Sequence, residues 1–242
     1  MMTETWTHRP AVERGYANHG WLETRHSFSF ALYYDPEHMG FGPLRVINDD
    51  IVAPTQGFGQ HGHRDMEILS YIVEGSLEHR DTLGNGSVLS AGQVQLISAG
   101  TGIRHSEFNA SETENVRFLQ IWVKPATKGL EPGYQERTLK GKQGLELIAS
   151  PEGEGDAFIL HQDACIYALR LSEEEAAEYE LKEGRALWIQ VVLGELSVED
   201  RDGAFSLREG DGLAIESADT LVFRALGSGV NALIFEIPAL VS

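Results

Sequence analysis

The stretch that decides the fold is GFGQHGHRDMEILSYIVEGSLEHRD, residues 57–81. Its apolar run ends at Gly75, and a second short run of alternating side chains follows at once. Similar short runs recur along the chain between glycine, asparagine and aspartate turns, among them LRVINDDIV, VQLISAG, VRFLQIWV, ALWIQVVLG and TLVFRAL. Short strands separated by turn residues at steady spacing predict an all-β sandwich or barrel.

Two local patterns refine this prediction. The segment TLGNGS around Asn85 and Gly86 is typical of a hairpin turn, because asparagine and glycine tolerate positive φ. The segment SEEEAAEYEL is the one convincing helical pattern, with Ser172 as its N-cap and acidic residues in the first turn.

The two halves of the chain resemble each other. SYIVEGSLEHRD followed by LSAGQVQLISAG is echoed by IQVVLGELSVED followed by LREGDGLAIESA. Such an internal repeat predicts two copies of one β-barrel packed together. The proline- and lysine-bearing stretch between them reads as a linker, so the predicted division is 1–124, a linker at 125–144, and 145–242.

Histidines and carboxylates are paired in the first half alone. Side chains alternate across a strand, so His61 and His63 share a face, and regular alternation adds Asp65 and Glu67 to it. His105 and Glu107 again stand two apart, behind a glycine turn in SAGTGIRHSEFN. Three imidazoles and a carboxylate on neighbouring strands suit a divalent transition metal and leave positions open for substrate or dioxygen. The alternation of side chains along a strand does not by itself decide whether Glu67 or Glu107 is the carboxylate ligand.

The remaining histidines lack such spacing. No metal role is expected for four of them, which are His8, His38, His79 and His161. The other two, His19 and His26, are expected to have a structural role or to line a pocket.

The composition of the chain limits which partners it can bind and where it is expected to be located. The formal net charge of -18 repels phosphate backbones and anionic lipid, which argues against direct nucleic-acid or membrane binding. The single cysteine, Cys165, excludes an internal disulfide and lies in an apolar run, where a buried, inert thiol is expected. No apolar run approaches the ~20 residues that span a bilayer, and the N-terminus lacks a signal pattern, so a cytoplasmic location is expected.

The histidine segments resemble the two cupin motifs, in the form found in pirins. The first motif, G-x5-H-x-H-x3,4-E-x6-G, is matched by His61, His63 and Glu67, with one extra residue before Gly75. In the second motif Gly102, His105 and Asn109 match, and Gly100 stands at the proline position. The segment from Asn18 to Gly59 is also similar to bacterial pirin-like proteins, whereas the C-terminal half resembles only a degenerate cupin.

The resemblance implies a two-barrel bicupin with one metal ion in the N-terminal cupin domain and none in the C-terminal one. The implied ligands are His61, His63, His105 and Glu107, with Glu67 outside the ligand set and holding an imidazole N–H. Iron is the expected ion, and nickel, copper, cobalt, manganese and zinc are the alternatives.

The activity that the resemblance implies is that of a quercetin 2,3-dioxygenase, which opens a flavonol with O2 and releases carbon monoxide. Glu107 would serve both as ligand and as acceptor of the substrate proton. Apolar side chains before the site would wall the planar substrate or fill the core; these are Phe28, Phe30, Met39, Phe41 and Phe58. The alternative hypothesis is a metal-bearing redox regulator that acts through a protein partner. A third hypothesis is another small-molecule cupin, such as an isomerase or a thiol dioxygenase.

Overall fold

The computed structural model describes residues 6–239, which form β-strands and one 3₁₀ turn, Ala11–Glu13. The strands, numbered along the chain, are β1 (Trp6–Arg9), β2 (Gly15–Asn18), β3 (Leu22–His26), β4 (Leu44–Val52), β5 (Gly57–His63), β6 (Glu67–Glu74), β7 (Ser76–Asp81), β8 (Gly86–Ser90), β9 (Gln93–Ser98), β10 (Ile103–Asn109), β11 (Val116–Val123), β12 (Gly133–Thr138), β13 (Gly144–Ser150), β14 (Phe158–Ile159), β15 (Cys165–Leu171), β16 (Ala176–Glu180), β17 (Arg185–Asp200), β18 (Gly203–Arg208), β19 (Gly212–Ile215) and β20 (Thr220–Pro238). No helix within residues 6–239 is long and apolar enough to cross a membrane.

The chain folds as two compact units. The first, called the site unit below, contains residues 15–139 and 160–162. It has a seven-stranded sheet in the order β12-β9-β6-β11-β4-β3-β2 and a four-stranded sheet in the order β5-β10-β7-β8. A buried cluster joins the two sheets, with Ile72 and Phe118 from the larger sheet and Leu77 and Leu89 from the smaller. The predicted all-β barrel is therefore confirmed for this half.

The second unit contains residues 6–14, 140–159 and 163–239 of the described chain. Its strands follow the order β1-β19-β17-β20-β15-β13-β14, with β16 on β20 and β18 on β17. Its large apolar core includes Leu187, Leu213, Phe223 and Ile234, all buried.

The internal repeat is visible at the corner glycines. Gly75 has φ +72° and lets the chain pass from β6 in one sheet to β7 in the other. A Cβ there would lie 2.5 Å from the backbone oxygen of Asn115. Gly194, at the matching position of the repeat, has φ +81°, and a Cβ would collide with the Gly229 carbonyl. Only glycine fits such a left-handed corner without strain.

Two details differ from the sequence predictions. The helix predicted after Ser172 is wrong, because Ala176–Glu180 is strand β16 and pairs with residues 220–224 of β20. Its side chains alternate between exposed and half-buried, and Tyr179 packs on the core, so burial overrides helix propensity. The predicted hairpin turn after Asp81 is confirmed; its positive φ lies at Gly84.

The division between the units also lies elsewhere than predicted. Gly133–Thr138, inside the predicted linker, pairs with β9 and belongs to the site unit. Trp6–Arg9, at the start of the chain, pairs with β19 and belongs to the second unit. Both segments satisfy their backbone hydrogen bonds as sheet edges, and such pairing between distant segments leaves no mark in local composition.

Candidate metal centre

Three imidazoles converge between two paired strands of the small sheet. His61 and His63 project from one face of β5, and His105 lies opposite His61 on β10. The ring centroids are 4.8 Å apart for His61 and His63, 4.5 Å for His61 and His105, and 4.9 Å for His63 and His105. One nitrogen of each ring lies within 4.8 Å of the others, a geometry that can hold one metal ion.

Two of the imidazoles, those of His63 and His105, have lowered pKa values, which favour the neutral form that binds metals. The pKa of His105 is lowered to about 3, first by burial and then by the neighbouring His61 and His79. Burial also lowers the pKa of His63 to about 4, with His105 and His61 as further causes. His105 is fully buried, and among the described residues neither of its ring nitrogens has a hydrogen-bond partner. An imidazole so placed fits a metal ligand, because an unsatisfied buried polar atom is otherwise costly.

Glu107 stands beside His105 on β10, where a shift in the β5–β10 register intervenes between the two residues. It is 1% exposed, and its carboxylate accepts three hydrogen bonds. Oε1 accepts from Ser70 (3.1 Å) and Gln95 (2.8 Å), and Oε2 accepts from Gln120 (2.8 Å). These donors fix the carboxylate near His105 and His79, with which it forms a group separate from that of His61, His63 and His105, and lone pairs remain on both of its oxygens.

Glu67 is buried away from the cluster. Its Oε2 accepts a hydrogen bond from Ser98 (2.9 Å) and lies 3.2 Å from Nδ1 of His161. Within residues 6–239 it belongs to neither group of side chains able to hold a metal. The imidazole that it contacts is thus His161, for which the sequence offered no partner, rather than one of the three converging rings.

His79, for which the sequence predicts no metal role, lies against the candidate centre. It lies opposite Glu107 in the β7–β10 ladder, is fully buried, and forms a second candidate ligand group with His105 and Glu107. Its Nε2 contacts Oδ2 of Asp81 at 3.1 Å, and its ring stacks on Tyr134 at 4.7 Å. The alternation of His79 and Asp81 in EHRD was the available signal.

A cavity of about 880 Å³ opens beside the centre. His61, His63 and Glu107 line it together with aromatic side chains; these are Tyr16, Trp21, Phe30, Tyr33, Phe58 and Trp122. Of the residues proposed to wall a substrate, Phe30 and Phe58 do so, whereas Phe28 and Phe41 are buried in the core and Met39 is exposed. His19 and His26 also line the cavity.

A β-barrel in which histidines of two antiparallel strands meet beside a cavity defines the cupin class of proteins. The sequence pattern described as Pirin matches residues 8–123, and that described as the quercetinase C-terminal cupin domain matches residues 147–237. The chain belongs to the pirin family.

Three relatives support this membership. A quercetin 2,3-dioxygenase of Escherichia coli K12 is 45% identical over 230 residues, which cover 95% of this chain and 97% of the relative. A pirin-like protein of Caulobacter vibrioides is 38% identical, over 88% of this chain and 92% of its own. The crystal structure of the bacterial pirin YhhW from E. coli, in complex with nickel(II), superimposes with a TM-score of 0.91 at 44% identity, over 97% of this chain and 100% of that chain.

Proposed function

We propose that the protein is a metal-dependent dioxygenase that cleaves a flavonol such as quercetin with O2 and releases carbon monoxide. The observation that carries this proposal is the cluster of three imidazoles beside an aromatic-lined cavity. A planar polyphenol needs both features, a flat apolar wall and a centre that binds an ionised hydroxyl. The similarity to a quercetin 2,3-dioxygenase over most of both chains supports the same substrate class.

His61, His63, His105 and Glu107 would hold the ion. The donor set of three nitrogens and one oxygen accepts iron, the ion that we favour, and also the nickel(II) bound by the related pirin. When bound, the ion acts as a Lewis acid that stabilises the enolate of the 3-hydroxyl and orders the reactants. The fit rests on the unpartnered nitrogens of His105 in the described part of the chain.

Glu107 is the proposed acceptor of the 3-hydroxyl proton. Its two oxygens are fixed by Ser70, Gln95 and Gln120, so the carboxylate meets the substrate in one orientation. The aromatic walls hold the rings flat and keep bulk water from the reacting carbon atoms. One flavonol and one O2 then yield one depside and one carbon monoxide, with every atom accounted for.

The experiment is turnover of quercetin by purified protein loaded separately with iron(II) and nickel(II), followed by loss of the flavonol absorbance and by detection of carbon monoxide. We expect Glu107→Gln to abolish turnover and Glu67→Gln to reduce it partly, because Glu107 groups with the cluster histidine His105 whereas Glu67 belongs to neither candidate ligand group among the described residues. Loss of quercetin without release of carbon monoxide would refute the proposed reaction. Equal turnover rates in the two variants would refute the proposed role of Glu107.

A further inference from the structure

Asp50, in the wall of the same cavity, has an unsatisfied carboxyl group. It lies on β4 and is 4% exposed, yet within residues 6–239 its Oδ1 has no hydrogen-bond partner. Thr24 stands directly opposite on β3 and lines the cavity with Asp50, and its hydroxyl lies near enough to the carboxyl of Asp50 to influence its pKa. The carboxyl of Asp50, with one buried oxygen that lacks a partner among the described residues, therefore lies in the wall of a largely aromatic cavity.

The neighbouring polar side chains on β4 are satisfied. Asp49 pairs with Arg117 through two contacts of 2.9 and 3.0 Å. Oδ1 of Asn48 lies 2.7 Å from Nδ1 of His26. Asp50 thus differs both from Asp49, which pairs with an arginine, and from Asn48, which lines the same cavity but contacts His26.

An unsatisfied buried carboxyl is a stability cost that a bound ligand can remove. Leaving a buried polar group without a hydrogen bond costs about 1–3 kcal/mol, and more when the group is charged. The pKa of Asp50 is raised to about 7, chiefly by burial; a hydrogen bond with Thr24 opposes the rise, and the negative charges of Asp49 and Glu107 contribute to it. A hydroxyl from the ligand would satisfy the carboxyl in either protonation state, because a phenol donates to a carboxylate and exchanges hydrogen bonds with a carboxylic acid.

We propose that Asp50 is a specificity-determining residue, whose carboxyl accepts a hydrogen bond from a substrate hydroxyl other than the one at the metal centre. Asp50 belongs to neither candidate ligand group among the described residues, so one ligand that reaches both must carry two oxygen functions. The inference rests on the proposed function and narrows its substrate class to planar aromatics with at least two hydroxyls, one of them placed for Asp50 and Thr24.

The test is anaerobic binding of quercetin, and of analogues that each lack one hydroxyl other than the 3-hydroxyl, to the metal-loaded protein. Quenching of the cavity tryptophans Trp21 and Trp122 reports binding without turnover. A hydrogen bond to a charged group is worth about 1.5–3 kcal/mol, or about 10- to 150-fold in affinity. We expect one analogue to bind the wild type at least about tenfold more weakly than quercetin. In Asp50→Leu, quercetin and that analogue should bind within about twofold of each other.

Asp49→Asn is the matched control, because it removes a carboxylate one residue away that is already paired with Arg117. It should keep the wild-type ratio of affinities. If Asp50→Leu does not fold, Asp50→Asn replaces it, and a neutral acceptor should shrink the ratio to about threefold. An unchanged ratio in the Asp50 variant, no discrimination by the wild type, or no binding at all would overturn the assignment.

The same flavonols, assayed in air for carbon monoxide, separate this inference from the proposed function. Binding that discriminates through Asp50 without carbon monoxide release would refute the dioxygenase and sustain the role of Asp50. Carbon monoxide release with an unchanged affinity ratio would sustain the dioxygenase and refute the role of Asp50.

Discussion

Replacing Asp50 by asparagine should stabilise the metal-free protein, by an amount that grows with pH. The pKa of Asp50 is raised to about 7 in the folded protein by burial, against a usual value of about 3.9 in the unfolded chain. Between these values the folded state binds more protons than the unfolded state, so the free energy of unfolding falls as pH rises. The slope is about 1.4 kcal/mol per pH unit, and the full loss above pH 7 is on the order of 4 kcal/mol.

Asparagine carries no charge at any pH, so the difference between Asp50→Asn and the wild type isolates this one group. His63 and His105, whose lowered pKa values make the protein lose stability on acidification, are present in both proteins and cancel. The other titratable groups around the carboxyl, Asp49, Glu107 and the cavity residue His26, are also unchanged.

The assay is urea unfolding at pH 5, 6, 7 and 8 in the presence of a chelator. We expect the stability advantage of Asp50→Asn to rise steadily from pH 5 to 7 and to level off above it. Asp49→Asn, which loses its ion pair with Arg117, should be less stable than the wild type. A difference between Asp50→Asn and the wild type that stays flat across this range would refute the buried, titrating carboxyl. Loading the metal should reduce the difference, because a dication favours the ionised form.

Three further outcomes are expected. X-ray absorption at equal metal loading should show a changed coordination shell in Glu107→Gln and an unchanged one in Glu67→Gln; the reverse result would place Glu67 in the shell. Metal analysis should give about one equivalent per chain, from one set of ligands, and His105→Ala should lose it, whereas two tightly held equivalents would contradict a single centre. Gly75→Ala should lower the free energy of unfolding by at least about 2 kcal/mol, because position 75 has a left-handed φ and a Cβ there would clash with backbone. The control is Gly59→Ala, because a Cβ at position 59 meets nothing within 4 Å among the described residues. Equal losses of stability in the two variants would argue against a requirement for glycine at the corner between β6 and β7.

The sequence predicted the barrel and three of the residues that meet, because both depend on local periodicity. Alternation places His61 and His63 on one face of a strand whatever the strand pairs with. Glycine at position 75 marks the corner because no other residue adopts its backbone conformation so readily. The prediction of a helix after Ser172 failed because the segment pairs with β20, a strand some 45 residues further along the chain. Such long-range pairing outweighs the helical propensity of the segment.

Only the tertiary structure decided which side chains surround the three imidazoles. Glu67 and Glu107 each lie an even number of residues from a histidine, so alternation along a strand does not distinguish them. In the structure Glu67 contacts Ser98 and His161, whereas Glu107 lies beside His105. His79 comes to lie beside His105 and Glu107 because β7 is the neighbour of β10 in the small sheet. Likewise nothing in the string NDD distinguishes Asp50 from Asp49, although one faces a cavity and the other an arginine. A period of two fixes the face of a strand on which a residue lies, but the strand that comes to lie opposite is chosen by long-range packing of the whole sheet.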